Sequence, residues 1–333
     1  MIISRTPFRV TLFGGGTDYP KWYNTHGGAA INATINKYCY ITARYLPPFF
    51  QFKHRIRYYL HEETNSIKDI KHPSVRETAR FLKLKKGIEI VHNADLPAQS
   101  GLGSSSTFTV GLLNALYGIK NYMPTKRELA LNAIHIEQNL IKENVGSQDQ
   151  TAAAFGGLNR ITFSDENTID VDLILISKNR LLKLQNNLML FFTGFARNAS
   201  EIAKKQLEVT LKKENELKNI YNICCEGFSV LNNKNEPINR IGELLNEQWK
   251  IKRSLTNQIT NKNIDDIYNA GISAGATGGK LLGAGAGGFI LFYVEKQYQN
   301  AVKKALEKKL FVPFNFDSTG SKIIYHSHSD FSK

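Results

Sequence analysis

Hydrophobic and polar positions alternate near the start of the chain with the period of a β-strand. The β-branched run from Ile2 to Phe13 predicts a strand that breaks at three consecutive glycines, residues 14–16. The run from Ile88 to Val91 also predicts a strand. After a stretch rich in glycine and serine, the apolar positions of Thr107 to Leu116 recur with helical spacing. Other segments predicted by the same patterns are strands at Tyr38–Tyr45 and Phe50–Leu60 and a helix at Val75–Leu84.

Later segments mix helical and strand-like patterns without a long linker between them. A capping box at Thr125 and Glu128 predicts a helix that ends near Glu143. Strands are predicted at Leu158–Phe163, Leu188–Phe192, Phe289–Val294 and Lys322–Tyr325, and helices at Ser200–Leu231, Ile241–Leu255 and Ile264–Ala274. A chain of 333 residues is too long for one small core. We expect an α+β protein with two domains, residues 1–170 and 171–333, and a ligand site in the cleft between them.

Composition narrows the possible partners. The net charge is +14, but the lysines are scattered over predicted helix faces with glutamates between them, so we expect no nucleic-acid partner. Three cysteines form neither a disulfide framework nor a metal-binding pattern. Because no run of about eighteen apolar residues and no signal-peptide pattern is present, we expect a cytoplasmic protein without a membrane partner.

The glycine- and serine-rich stretch is a candidate phosphate site. Glycines allow the backbone to approach a ligand, and the start of the following helix presents unpaired N–H groups and the positive end of its dipole. A serine-rich helix cap without a ligand is the alternative. A Walker loop is excluded because no lysine follows Gly103. Residues 283–288 match the dinucleotide pattern, but a strand follows them where a helix would be required.

Four charged residues are candidates for chemistry. Arg9 lies in an apolar strand and needs an anionic partner, either in a structural salt bridge or in catalysis. Asp18 follows the glycine triplet and could accept hydrogen bonds from neighbouring hydroxyls or stabilise a turn. Asp149 is the lone acidic residue among small neutral ones, which suits a catalytic base or a helix cap. Glu137 could face a groove or solvent.

Three stretches in this order resemble the motifs of the GHMP kinases, the superfamily of galactokinase, homoserine kinase, mevalonate kinase and phosphomevalonate kinase. The first comprises residues 5–10 with the Gly14–Asp18 loop, the second is Pro97–Thr107 and the third is Lys280–Phe289. The resemblance covers nearly the whole chain. It implies an N-terminal nucleotide-binding domain like ribosomal protein S5 domain 2 and a ferredoxin-like C-terminal domain.

The resemblance also implies roles for particular residues. Asp149 matches the catalytic base or hydroxyl-orienting residue, and Arg9 matches its electrostatic support. Ser105 and Glu137 match ligands of Mg²⁺. The loop that binds the triphosphate of ATP in the family is matched by Gly101, Leu102, Gly103, Ser104, Ser105 and Ser106. Substrate contacts match Gly16, Thr17, Asp18, Gly283, Ala284 and Gly285.

Within the superfamily the chain resembles bacterial D-glycero-D-manno-heptose 7-phosphate kinases. The stretches that carry this likeness are Ile31–Ile35, Val145–Gln150, Phe192–Ser200 and Trp249 with Lys252–Ser254. It implies ATP-dependent phosphorylation of the anomeric hydroxyl, which gives the 1,7-bisphosphate used to make nucleotide-activated heptose. An unphosphorylated sugar such as galactose or fucose and a non-catalytic binding role remain alternatives. A phosphorylated acceptor needs an anion site, for which Arg197 is the first candidate and Lys252 the second. A homodimer is left open.

Overall fold

The computed structural model describes residues 1–165, 168–194, 209 and 212–327. The strands are β1 (Ile2–Gly14), β2 (Gly28–Tyr45), β3 (His54–Arg57), β4 (His61–Thr64), β5 (Ile88–Ala94), β6 (Leu158–Phe163), β7 (Ile169–Leu173), β8 (Leu188–Phe192), β9 (Gly278–Leu281), β10 (Phe289–Tyr293), β11 (Leu310–Phe311) and β12 (Lys322–His326). The α-helices are α1 (Pro20–His26), α2 (Pro73–Phe81), α3 (Ser104–Ile119), α4 (Lys126–His135), α5 (Gln148–Phe155), α6 (Lys178–Asn186), α7 (Glu214–Asn232), α8 (Arg240–Leu255), α9 (Lys262–Ser273) and α10 (Gln299–Ala305). In this part of the chain, no helix has the length and apolar character needed to cross a membrane.

The first sheet has the order β12-β1-β2-β5-β3-β4, and β6 and β7 extend it from β2. One end of β2 pairs with β6 and the other with β5, so this long strand joins two parts of the sheet. The register of β1 against β2 shifts between Pro7 and Arg9 and again between Thr11 and Phe13. Irregularities of this kind bend a strand and redirect its side chains. Arg9 and Thr11 both lie in this irregular part of β1, beside the site described below.

The second sheet has the order β11-β8-β10-β9, and all of its pairs are antiparallel. Helix α8 packs on β9, while α7 packs on α8 and also on β1 and β2 of the first sheet. A Cβ at Gly227 of α7 would lie 2.5 Å from the Phe13 ring, so glycine permits this close approach. A hydrophobic core runs continuously from the first sheet to Leu190 and Leu291 of the second.

Most predicted elements are present, with several differences. Strands β4 and β11 and helices α1 and α6 were not predicted, and residues 200–208, 210 and 211 of the predicted helix Ser200–Leu231 lie outside the described residues. The strand after residue 321 was predicted in the second domain, but β12 pairs with β1 in the first sheet. The helix that begins after Thr125 does not continue to Glu143, because it passes into a π-helix at Ile136–Leu140. Strands β7 and β9 and the first half of β2 were not predicted. The half of β2 from Gly28 to Ile35 is buried on both faces and has no alternation to detect.

Candidate active site

A cavity of about 440 Å³ lies where three glycine loops meet helices α5 and α8. The first glycine loop is residues 14–18, the second is residues 97–106 before α3, and the third is residues 282–288 after β9. Its charged and polar lining comes from distant parts of the chain. The lining includes Arg9, Thr11, Asp18, Ser104, Ser105, Ser106, Glu143, Gln148, Asp149, Lys252 and Lys280. The glycine lining comprises Gly14, Gly15, Gly16, Gly101, Gly103, Gly146 and Gly283. A cavity with convergent polar groups between two sheets is the usual form of a small-molecule site.

Arg9 and Asp149 form a bidentate ion pair in this cavity. The guanidinium Nε donates to Asp149 Oδ1 at 2.8 Å, and Nη2 donates to Oδ2 at 2.6 Å. The third branch of the fork, Nη1, donates to the carbonyl oxygen of Gly101 at 2.8 Å. Arg9 is 3% exposed, so the pair is shielded from water on the arginine side. The planar fork therefore fixes the Asp149 carboxylate relative to the second glycine loop.

The second glycine loop leads into the N-terminus of α3, as the sequence predicts. Gly103 caps this sixteen-residue helix with φ 75°, and a Cβ there would lie 3.2 Å from Asp149 Oδ2 and 3.3 Å from Arg9 Nε. A glycine at this position combines a left-handed backbone with close contact to the ion pair. The unpaired N–H groups at the start of α3 thus lie next to the Asp149 carboxylate, which suits a phosphate group bound beside it.

Asp18 supplies a second carboxylate to the cavity. Its Oδ1 accepts a hydrogen bond from the Gly16 N–H at 3.0 Å, and its backbone carbonyl accepts one from the Ser147 N–H at 2.8 Å. Burial, together with repulsion from Asp149, raises the pKa of Asp18 to about 6. A buried carboxylate of this kind gains from hydrogen-bond donors such as the hydroxyls of a sugar.

Glu137 is fully buried in the π-helix Ile136–Leu140. Its Oε2 accepts hydrogen bonds from Ser106 Oγ at 2.8 Å and from Gln150 Nε2. Its Oε1 is buried and has no hydrogen-bond partner among the described residues. Burial and the nearby Glu143 raise the pKa of Glu137 to about 7. A π-helical turn that carries a buried carboxylate with a raised pKa often marks a functional site.

Ser105 does not contact Glu137, although the two were predicted to act together. The Ser105 Oγ lies 3.5 Å from Glu143 Oε2. The serine that donates a hydrogen bond to Glu137 is Ser106. Serine hydroxyls and carboxylate oxygens are the hard ligands that Mg²⁺ accepts alongside phosphate oxygens. No group of three metal-ligating side chains occurs in the described ranges. The residues thus suit a cation that is shared with a phosphate, and not a closed protein cage.

Family models match both halves of the chain. The model described as GHMP kinases N terminal domain matches residues 71–157, and the model described as GHMP kinases C terminal matches residues 231–312. The two ranges together span just over half of the chain. The chain belongs to the GHMP kinase family. The predicted fold and the predicted enzyme class, an ATP-dependent kinase, are thereby confirmed.

Relatives of this GHMP kinase include enzymes named for sugars. It is 28% identical over 340 residues to D-glycero-alpha-D-manno-heptose 7-phosphate kinase of Campylobacter jejuni, covering 96% of this chain and 98% of the relative. It is 24% identical over 350 residues to galactokinase of Pyrococcus furiosus, covering 95% of each. A solved structure of a D-glycero-D-manno-heptose 1-phosphate kinase from Bacteroides thetaiotaomicron has a TM-score of 0.73 at 26% identity, covering 99% of this chain and all of that one.

The GHMP kinase cavity brings together most, but not all, of the predicted site residues. Thr17 is buried behind it, where its Oγ1 donates to the Ala29 carbonyl at 3.1 Å. Leu102 is also buried, and its carbonyl accepts from the Arg9 N–H at 3.3 Å. Gly285 lies against Ile259. These three lie outside the cavity lining, and so does the predicted metal ligand Glu137, which is fully buried behind Ser106.

Arg197, the predicted anion site, lies outside the described residues. The domain boundary after residue 170 and the roles of individual residues stay predictions.

Sequence patterns assigned no role to Gln148 or Gln248. The Gln148 Oε1 lies 3.3 Å from the Thr11 hydroxyl and 3.5 Å from Asn32 Nδ2, which leaves its amide nitrogen beside Gly15 in the cavity. Gln248 of α8 binds both backbone groups of Gly14, donating to its carbonyl at 2.7 Å and accepting from its N–H at 3.3 Å. A single glutamine matches no catalytic or binding motif, so its presence in a polar chain predicts no role. A polar residue at a buried position of an amphipathic helix, such as Gln248, was the available clue.

Proposed function

We propose that this GHMP kinase transfers the γ-phosphoryl group of ATP to the anomeric hydroxyl of D-glycero-D-manno-heptose 7-phosphate. The products would be ADP and the 1,7-bisphosphate. The observation that carries the proposal is the bidentate Arg9–Asp149 pair at the N-terminus of α3, because it combines a carboxylate, a fixed cation and free N–H groups in one place. The heptose phosphate kinases among the relatives support the choice of acceptor.

Phosphoryl transfer requires alignment and charge neutralisation more than covalent chemistry. The acceptor oxygen forms a bond to the γ-phosphorus while the bond from that phosphorus to the bridging oxygen breaks, and ADP leaves with the electron pair. Asp149 accepts or orients the hydroxyl proton, since both of its oxygens keep a lone pair beyond the bonds to Arg9. Arg9 and the N–H groups of α3 stabilise charge on the phosphoryl oxygens.

The sugar would lie between Asp18 and Gln148. Asp18 offers acceptor oxygens for two neighbouring hydroxyls, and the Gln148 amide nitrogen offers donors for a hydroxyl or ring oxygen. The Thr11 hydroxyl donates to Asn32 Oδ1 at 2.6 Å, and Asn32 Nδ2 in turn donates to the Gln148 carbonyl oxygen at 3.5 Å, which favours this direction of the Gln148 amide before the sugar binds. Pre-organisation of this kind favours one arrangement of hydroxyls over others.

Glu137 and either Ser105 or Ser106 would hold Mg²⁺ together with the phosphates of ATP. The assignment rests on Ser106, which lines the cavity and donates a 2.8 Å hydrogen bond to the buried Glu137 carboxylate. When bound, the cation supplies a positive charge that neutralises the β- and γ-phosphate oxygens.

The test is the Asp149→Asn variant, which keeps the shape of the side chain and removes its charge. We expect kcat to fall by about 10²–10⁴-fold with ATP and heptose 7-phosphate. The matched control is Asp172→Asn in the exposed strand β7, which should keep normal kcat. Near-normal turnover of a folded Asp149→Asn protein would contradict the proposed mechanism.

The acceptor is tested separately with a panel of sugars and sugar 7-phosphates, in which ADP formation and binding are both measured. Preference for the heptose 7-phosphate in kcat/KM is the expected result. Preference for free galactose or fucose would instead assign an unphosphorylated acceptor. Binding of ATP and sugar without ADP formation would show a binding protein, and would contradict the proposal.

A further inference from the structure

Among the described residues, two lysines in the cavity have no carboxylate within ion-pair distance, unlike most buried cations. Lys280 lies on β9 and is 3% exposed, and Lys252 lies in the last turn of α8 with its side chain partly enclosed. Both line the cavity. Buried charges are costly unless they are paired, so the surroundings of these two ammonium groups call for an explanation.

Main-chain carbonyls satisfy only part of their hydrogen-bonding capacity. Lys280 Nζ donates to the Leu12 carbonyl at 3.2 Å. Lys252 Nζ donates to the Leu281 carbonyl at 3.4 Å and to that of Gly283. An ammonium group has three N–H donors. Within the described part of the chain, two donors of Lys280 and one of Lys252 are therefore left for a ligand.

The nearby carboxylates do not neutralise the pair. Both oxygens of Asp149 already accept hydrogen bonds from Arg9, one from Nε and one from Nη2. Asp18 attracts Lys252, but no carboxylate oxygen of the described residues lies within 4.0 Å of either Nζ. Burial and repulsion by Arg9 lower the pKa of Lys252 to about 8, and burial with repulsion by Lys252 lowers the pKa of Lys280 well below its usual range. The two cations and Arg9 thus concentrate positive charge at the end of the cavity formed by the third glycine loop.

We propose that Lys252 and Lys280 form an anion site for a phosphoryl group in the cavity. The proposal rests on the proposed function in that ATP and a sugar phosphate are the ligands considered. The group bound is either the γ-phosphoryl of the nucleotide or the phosphate that the acceptor already carries. Oxygens of a phosphate dianion accept the three remaining N–H donors and balance both charges.

Calorimetry on the full-length protein tests the site with Lys252→Met and Lys280→Met, which replace each charge by an apolar chain of similar length. The probes are ADP, a non-hydrolysable ATP analogue, heptose 7-phosphate, the unphosphorylated heptose and inorganic phosphate. Loss of a charged hydrogen bond corresponds to about a 10- to 100-fold rise in Kd. Lys250→Met, on the exposed face of the same helix, is the control.

The pattern of losses identifies the source of the phosphate. Weaker binding of the ATP analogue with unchanged ADP assigns the site to the γ-phosphoryl group. Weaker binding of heptose 7-phosphate with unchanged free heptose assigns it to the phosphate of the acceptor. Unchanged binding of every probe, inorganic phosphate included, by folded variants overturns the proposal. Failure of turnover in the wild type would overturn the proposed function alone, because inorganic phosphate still reports on the lysines.

Proton uptake provides a readout that a purely structural role would not change. An anion next to Lys252 raises its pKa, so at pH 8.5 binding should take up protons from the buffer. Titration in buffers of different ionisation enthalpy measures that uptake. We expect it to fall in both Lys252→Met and Lys252→Arg to the part that Lys280 contributes. Equal uptake by wild type and by both methionine variants would contradict the assignment.

Discussion

Gly101 and Gly283 lie in contact through their backbones, although 182 positions separate them in the sequence. A Cβ on Gly283 would lie 2.4 Å from Gly101 Cα, and one on Gly101 would lie 2.5 Å from the Leu282 carbonyl oxygen. Both residues also have positive φ, at 82° and 73°. The loop that contains Gly101 therefore packs directly against the loop after β9, with no room for a side chain at either glycine.

Gly283→Ala should reduce kcat by about 10²-fold, because the added methyl group displaces the loop that aligns the nucleotide. The measurement is steady-state kinetics with varied ATP, together with thermal unfolding. Gly27→Ala provides the control for backbone strain, since Gly27 has φ 68° and, apart from its chain neighbours, the nearest atom of the described residues to its Cβ position is the Phe163 carbonyl oxygen at 3.8 Å. That variant should lose about 1 kcal/mol of stability and keep its kcat. Equal kinetic effects in the two variants would show that strain and not loop contact matters.

Arg9→Lys should lower kcat by about 10- to 100-fold, which corresponds to the loss of charged hydrogen bonds worth about 1.5–3 kcal/mol. A lysine cannot bind both Asp149 oxygens and the Gly101 carbonyl at once. Kinetics and binding of the ATP analogue measure the effect. Arg44→Lys makes the same change at an ion pair with Glu89 outside the cavity, and its kcat should not change. A normal kcat in Arg9→Lys would show that the fork is dispensable.

The acid limb of the pH profile should belong to Asp18. Burial raises its pKa to about 6, so its carboxylate is protonated below that pH and accepts fewer hydrogen bonds from the sugar. We expect kcat/KM for the acceptor to fall about tenfold per pH unit below pH 6. Asp18→Asn should have a low kcat/KM without this decrease at low pH.

The raised pKa of Asp18 also affects stability. Because the folded protein binds this proton more tightly than the unfolded chain, the contribution of Asp18 to the free energy of unfolding decreases as the pH rises from about 4 to 6.

Glu137→Gln should raise the Mg²⁺ concentration for half-maximal activity by at least about tenfold, since it removes the charge of the buried carboxylate on Ser106. Binding of Mn²⁺ in the presence of ADP, followed by electron paramagnetic resonance, checks the effect without turnover. Glu143→Gln is the comparison because Glu143 lies on Ser105 at the cavity wall. A shift in Glu143→Gln with none in Glu137→Gln would assign the metal to Ser105 and Glu143 instead.

Local patterns predicted the elements that carry the site. Alternation identified β1, helical spacing identified α3, and the capping box placed the start of α4, where Thr125 accepts a hydrogen bond from the Glu128 N–H. The π-helix that carries Glu137 was not predicted, because the groups around it, Ser106 and Gln150 on the carboxylate and helix α2 beside the turn, come from other parts of the chain. Strand β12 was assigned to the wrong sheet, since a short strand carries no information about its partner.

By itself, the sequence determined the family, the position of the glycine- and serine-rich loop before α3 and most of the charged residues of the cavity, because each depends on residue types at short spacing. Only the tertiary structure decided that Ser106 rather than Ser105 lies on Glu137, that Gln248 holds Gly14, and that Lys252 and Lys280 share the cavity. These relationships join residues that are far apart in the chain. Packing of one sheet and its helices against the other sets them, and no local pattern records which distant groups such packing will bring together.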